Sequence, residues 1–472
     1  MNRTMKNRKA FGLLSLILMF ALLVSACSSG GGAPAQPEAS AKTEASAPAD
    51  EKTTDESEAA EAEPAAEPAN ANSTPEMDFD MGGRTIKVVA WWDMQIEDNN
   101  PDNIQRIENL EALKKKHNFD IEYISIDFGE YQEKVVASLM AGEPLGDIVR
   151  LGKDYAIPAL TKQDLLWPID EYTKNDKVFN QKTTNEYMQY EGRGYGFTED
   201  QSSFISGIFY NRTLMQELGL KPLQEYVDED DWNWDTFVKV AKEANKDRNN
   251  DGKLDTWGLA QTSLIEPILY SNEASLTQED KQNLEDPKTK AALNFASKLA
   301  TDKVGRPTEG GDWTEPSTFF RQGNTLMYSG AMYEIEGIKT DMPDYDIGFV
   351  PFPKGPDATA YHSGESRYQA LTIPKAVENP EQLMYIWEKI NEIDSIYDYP
   401  EQSTLETHLS DEADIENARE VAKGMLVLDH NTFPSLPYWD FVGELNDGVS
   451  VSTVIEKYKA TFQSAIDEVY KK

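Results

Sequence analysis

The chain has 472 residues, with 83 Asp and Glu against 45 Lys and Arg, giving a formal charge of −38 and a pI of about 4.4. So large an acidic excess disfavours binding to nucleic-acid phosphates or to an anionic lipid surface. The single cysteine, Cys27, cannot close an internal disulfide or build a thiolate zinc site. None of the four histidines (His117, His362, His408, His430) stands in a motif that would activate it as a nucleophile.

The chain opens with Arg3, Lys6, Arg8 and Lys9, followed by an apolar run from Ala10 to Ala26. That run is short for a membrane span and has the length of a secretory h-region. Val24, Ser25 and Ala26 ahead of Cys27 resemble the bacterial lipobox. The resemblance implies a signal peptide over 1–26 and a lipid on Cys27; an uncleaved N-terminal anchor is the alternative. Residues 27–80 follow as an acidic linker in which Ala, Glu, Pro, Ser and Thr dominate. Such a stretch cannot bury enough apolar surface to offset its ordering entropy, so it is expected to be disordered. A flexible coil of ~50 residues spans roughly 40 Å. No second long apolar run appears, so the body is expected to be soluble and tethered.

Order is expected from near Arg84. "RTIKVVAWWD" predicts a buried strand that ends in aromatics, and Ile104, Ile107, Leu110 and Leu113 predict a helix. "DIEYISIDF" predicts a strand, "EYQEKVVASLMAGEP" a helix and "GDIVRL" a third strand. "AIPALTKQDLLWPIDEY" reads as helix and loop. This alternation is the signature of an α/β fold with a mainly parallel sheet. Strand character resumes in "GIFYN". Helices are expected in "WNWDTFVKVAKEANKD", "TKAALNFASKLATD" and "STFFRQGN". "TLMYSG", "YDIGFVPFPKG" and "YQALTIPKA" predict strands; "PEQLMYIWEKINEI" and "TVIEKYKATFQSAIDEVYKK" predict amphipathic helices.

Several pieces, in this order and spacing, carry a family resemblance: "EYQEKVVASLMAGEPLGDIVRL", "LLWPIDEY", "GIFYNRTLMQELGL", "WNWDTFVKVAKEANKDRNNDGKLDTWGLA", "FFRQGNTLMYSGAMYEI", "DIGFVPFPKGP" and "LTIPKAVENPEQLMYIWEKI". From about Arg84 onward the chain resembles the extracellular solute-binding proteins of bacterial ABC importers, the family of maltose- and oligosaccharide-binding proteins. The resemblance implies an α/β, two-lobed periplasmic-binding-protein fold of type II, with a hinge and an interlobe cleft that closes on solute. Lobe 1 is expected over 84–201 plus 363–395, and lobe 2 over 202–362 plus 396–472. Crossings are expected near Gln201 to Phe204, near His362 to Arg367, and after Ile393.

A sugar site stacks flat aromatics on ring faces and surrounds the rim with carboxylates, amides and cations. Trp91, Trp92 and Asp93 follow the first strand, where loops of an open α/β sheet line a cleft. Adjacent residues at a strand end point opposite ways, so one indole is expected in the core and the other at the ligand. The resemblance places Lys153 and Asp154 toward the cleft; an exposed ion pair is the plainer reading. Glu199, Asp200 and Gln201 gather acceptors at the first crossing, as ligand contacts or as a solvated acidic loop. Trp313 stands in a glycine-flanked loop with no periodic apolar face to join, which favours stacking. "MYSGAMYEI" is similar to the family's strand-then-glycine turn, with Gly330 allowing close backbone approach. The family's aromatic falls at Met332 here and Tyr333 comes next, so the stacking side chain is left open between them. Glu334 is an acceptor candidate. Glu365 and Arg367, at the return crossing, either bind hydroxyls or pair with each other. Tyr438 and Trp439 are expected in a proline-bounded loop, more as packing than as a stack.

"DRNNDGKLD" sets Asp247, Asn249, Asp251, the Lys253 carbonyl and Asp255 at the first five odd positions of a calcium loop, with Gly252 at its turn. Gly258 replaces the bidentate glutamate, so the choice lies between a structural calcium with an incomplete shell and an Asx-rich turn. No catalytic residues and no catalytic cofactor are assigned. The leading expectation is a monomeric, lipid-anchored protein on the extracellular face of the cell membrane. It would capture a sugar or oligosaccharide and pass it to ABC permease subunits. Capture of a non-sugar solute and surface polysaccharide hydrolysis are the alternatives.

Overall fold

The computed structural model describes residues 72–199, 201–308 and 314–470. Cys27, the leader, most of the linker, Asp200 and Trp313 lie outside the described residues.

The first sheet joins β1 (Arg84–Ala90), β2 (Phe119–Ser125), β3 (Ile148–Gly152) and, from far along the chain, β9 (Gln369–Thr372). β2, β1 and β3 run parallel and β9 is antiparallel to β3. Two helices supply the crossovers. α1 (Pro101–His117) is capped by the Asn100 side chain, has Pro101 in its first turn and ends at Asn118 with φ +54°. The cap answers an otherwise unsatisfied amide, and asparagine tolerates the left-handed exit. α2 (Phe128–Met140) is capped by Asp127.

The second sheet joins β4 (Ser206–Asn211), β5 (Trp257–Leu259), β6 (Thr325–Ala331) and β7 (Ile347–Val350), in the order β7-β4-β6-β5. β4 is antiparallel to both neighbours, and β6 and β5 are parallel. Its helices include α3 (Trp234–Ala244), α4 (Ile265–Ser271) and α5 (Pro287–Thr301). Each sheet has its own core. Ile86, Val88 and Ile148 pack with Leu383 and Trp387 of α6 (Pro380–Asn391) on the first. Trp232, Phe237, Leu269 and Phe441 fill the second lobe together with Phe462 of the final helix, Val451–Tyr470.

Three segments meet between the lobes. The Ser363 hydroxyl donates to the Phe204 carbonyl at 2.6 Å, and the Ser206 amide donates to the Ser363 hydroxyl at 3.0 Å. The two-residue strand β8 (Gly364–Glu365) then pairs in parallel with β10 (Leu426–Val427). Gly364 is required there. A Cβ at this position would lie 2.2 Å from Cδ1 of the buried Tyr270 ring.

Three local expectations change. Ile104, counted on the apolar face of α1, is exposed, and His117 in its last turn is buried. Tyr438 and Trp439 stand in a helix, Tyr438–Asn446, rather than in a loop; Pro437 sits at its cap and starts it. Residues 73–80, read as the end of the linker, and Met81 after them are pinned to the first lobe. The Thr74 amide donates to the buried Glu388 carboxylate at 2.8 Å, Phe79 stacks on His117, and the Met81 amide donates to the His117 carbonyl.

Candidate functional site

The carboxyl ends of the first sheet and the hinge-facing edge of the second sheet enclose a cavity of about 680 Å³. Trp91, Arg150 and Glu199 form one wall, and Met332, Tyr333 and Glu365 contribute to the other. A side hollow of about 210 Å³ shares Phe204, Tyr333 and Glu365 with it and adds Glu266, Tyr328 and Gly330.

Arg150 organises the first wall. It extends from β3, and its guanidinium lies 5.6 Å from the Trp91 ring centre and 4.7 Å from that of Trp92. Its Nη1 donates to Glu199 at 2.8 Å, while its Nε is buried and without a partner. Trp91 and Trp92 meet edge to face, their centroids 4.6 Å apart. Trp91 also packs on the buried Tyr131, whereas Trp92 is exposed. The cation and the edge contacts therefore fix Trp91 in the cleft wall, with Trp92 packed against it.

The second wall is built around a glycine turn. Tyr328 of β6 donates to both Glu334 oxygens, at 3.0 and 2.9 Å, and the Ala331 amide donates to Glu334 at 3.2 Å. A Cβ on Gly330 would lie 2.4 Å from the Tyr328 ring, so only glycine allows this closure. Met332 turns into the core, while the Tyr333 ring is 73% exposed and faces Phe204 at 6.4 Å. Tyr333 is thus the aromatic that this turn presents to the cleft.

Two carboxyls beside the hinge are pushed in opposite directions. Burial pushes Glu365 up to about 8; Arg150 opposes this, and Glu266 and Asp154 reinforce it. Burial also acts on Glu266, of α4, but hydrogen bonds from His430, Ser366 and Tyr438 outweigh it. They hold this carboxyl below its ordinary range. Opposed environments of this kind keep one carboxyl neutral and the other ionised near neutrality.

Of the residues singled out in sequence, Trp91, Glu199 and Glu365 meet Gly330, Met332, Tyr333 and Glu334 along these two hollows. The others stand elsewhere. Trp92 lies under Arg150. Asp93 is exposed and accepts from the Gln95 amide. Lys153 pairs with Asp429 at 2.6 Å, and Gln201 donates to the Asp176 and Phe179 carbonyls. Asp154 is raised by burial, with Arg367 opposing; Arg367 is exposed and makes no ion pair with Glu365 among the described residues. Arg150, Phe204, Glu266, Tyr270 and Tyr328 were not singled out. A separate surface groove of about 390 Å³, beside Lys290 and Ser450, carries no aromatic side chain.

In the 247–255 loop Asp247 accepts from the amides of Asp251 and Gly252, at 3.2 and 2.8 Å. Asn249 accepts from the Asp251 amide, Asp251 from the Lys253 amide and Asp255 from the Arg248 amide. Gly252 has φ +86°. Among the described residues no three His, Cys, Asp or Glu side chains converge as a metal cluster. No described helix is long and apolar enough to cross a membrane.

Residues 103–391 match the model of the bacterial extracellular solute-binding protein family. A multiple sugar-binding protein of Streptococcus mutans is 26% identical over 194 residues, covering 39% of this chain and 44% of that protein. The match therefore spans less than half of the relative's length. Among solved structures, the GacH receptor of Streptomyces glaucescens, studied unliganded and with acarbose, superposes with a TM-score of 0.58. It is 15% identical, over 82% of this chain and 99% of that one. An ABC substrate-binding protein from Listeria monocytogenes in complex with cycloalternan gives 0.56 at 15% identity, over 82% and 99%. These likenesses establish the two-lobed binding-protein fold.

Proposed function

Because this chain belongs to the bacterial extracellular solute-binding protein family, we propose that it captures a sugar or oligosaccharide in the interlobe cleft and delivers it to an ABC importer. The observation that carries this reading is the facing of two aromatics across the cleft: Trp91 on one lobe and Tyr333 on the other. Flat aromatics accept the C–H faces of sugar rings, and the surrounding carboxylates and Arg150 accept from or donate to hydroxyls. Closure about the three-segment hinge would bring the two sets together.

The wider reading is a monomer held at the extracellular face of the membrane by lipid on Cys27, with its permease subunits alongside. A structural calcium in the 247–255 loop belongs to it as well. Side-chain carboxylates alone do not converge there, so the Lys253 carbonyl and water would complete the shell.

Thermal-shift screening against a panel of sugars, with chromatography of the mixtures, tests the proposal. Stabilisation by sugars without new products is expected. Stabilisation only by non-sugar solutes would move the reading to another ligand on the same scaffold. Turnover would establish hydrolysis, the second reading.

A further inference from the structure

The described walls of the two joined hollows are more one-sidedly acidic than the chain. They hold Glu199, Glu266, Glu334, Glu336, Glu365 and Glu401 against one permanent cation, Arg150. The whole chain has 83 acids to 45 bases. Arg150 is already engaged by Glu199 and the two indoles. Glu266 is held by Ser366, His430 and Tyr438, and Glu334 by Tyr328 and Ser317.

Glu365 differs from these. It lines both hollows at the point where they meet, and none of the hydrogen bonds or ion pairs among the described residues reaches its carboxyl. The charged and titratable groups around it are Arg150 on β3, Asp154 after β3, Glu266 on α4, Tyr333 on the glycine turn and Tyr368 beside β9.

We propose that the cleft selects sugars bearing an ammonium group over uncharged and acidic ones, with Glu365 as the residue that receives the cation. This rests on the sugar-capture reading and deepens it. Burial keeps the Glu365 carboxyl protonated near neutrality. A ligand ammonium arriving beside it favours the ionised form, so the proton leaves to solvent and the carboxylate pairs with the cation. The charge at this half-buried position is then compensated instead of isolated. An anionic sugar meets ionised Glu266, and the one guanidinium lining the hollows already pairs with Glu199. An uncharged sugar gains only the hydrogen bond that a neutral carboxyl offers.

Calorimetry on the full chain tests this, with oligomers of glucosamine, glucose, N-acetylglucosamine and glucuronic acid matched in linkage and length. The amino oligomer is expected to bind at least ~10-fold tighter than its hydroxyl counterpart, and the acidic one most weakly. Near pH 6.5, binding of the amino oligomer should release roughly one proton, read from buffers of different ionisation enthalpy. Glu365→Gln, which keeps the shape of the protonated acid, should bring the ratio of amino to hydroxyl affinity close to one. Equal or tighter binding of the uncharged oligomers overturns the inference and leaves sugar capture standing. Binding of no sugar at all overturns both. Where Glu365→Gln does not fold, the wild-type proton count decides, and absence of proton release overturns the inference.

Discussion

Arg150 donates to Glu199 at 2.8 Å, tying β3 to the loop that leads into the hinge. The same guanidinium lies over two indoles, so one side chain sets the position of a carboxylate and of the aromatic platform together. Arg150→Met removes both restraints. Cation–π contacts contribute about 0.5–2 kcal/mol each, and 1.4 kcal/mol is about tenfold in affinity. Affinity for the tightest-binding sugar should therefore fall by about tenfold or more while the melting temperature moves little. Calorimetry checks this, and unchanged affinity would remove Arg150 from the site.

Gly364→Ala should destabilise the protein. The added methyl meets the Tyr270 ring at 2.2 Å, and the ring is buried. Overpacking of this kind costs about 1–3 kcal/mol. Urea unfolding reads the loss; a stability equal to wild type would mean that the hinge yields without strain.

The Glu365 carboxyl gives a pH dependence with a defined sign. Its folded value, about 8, is raised from the ordinary 4.5. The folded state therefore holds a proton that the unfolded state has lost across this window. Stability from this group is full below about pH 4.5 and is lost as pH rises through about 8. Glu365→Gln should flatten the fall in urea-unfolding stability between those values. A slope identical to wild type would place the carboxyl in contact with water.

Much of the fold was readable because the relevant signals are local. β1 to β3 are short β-branched runs, and α1 and α2 alternate with them at helical spacing. α4 was not readable, since its seven residues include a proline and show no long period. Its Glu266 belongs to the cleft through His430 and Tyr438, which are 164 and 172 residues away. Arg150 was passed over because a strand reading of "GDIVRL" ranks its apolar residues first. Trp91 and Tyr333 could be found, being aromatics just past a strand end or a required glycine.

Calcium at the 247–255 loop should produce heat in titrations of chelator-treated protein and raise its melting temperature. The amide bonds to Asp247 already preform the turn, while the carboxylates must converge on the ion as it binds. If neither heat nor shift is seen, the loop is an Asx-rich turn.

Cys27→Ala should yield an unlipidated or unprocessed chain that no longer fractionates with membranes as the mature form. A processed, lipid-bearing variant would dismiss the lipobox reading.

The strap at residues 73–81 has a mechanical consequence. Its partners Glu388, His117 and Tyr385 all belong to the first lobe. Any pull from the chain upstream therefore enters the first lobe, far in sequence from Phe204, Ser363 and Leu426, where the segments between the lobes meet. A proposed closure of the second lobe on solute would therefore carry no load from that tether.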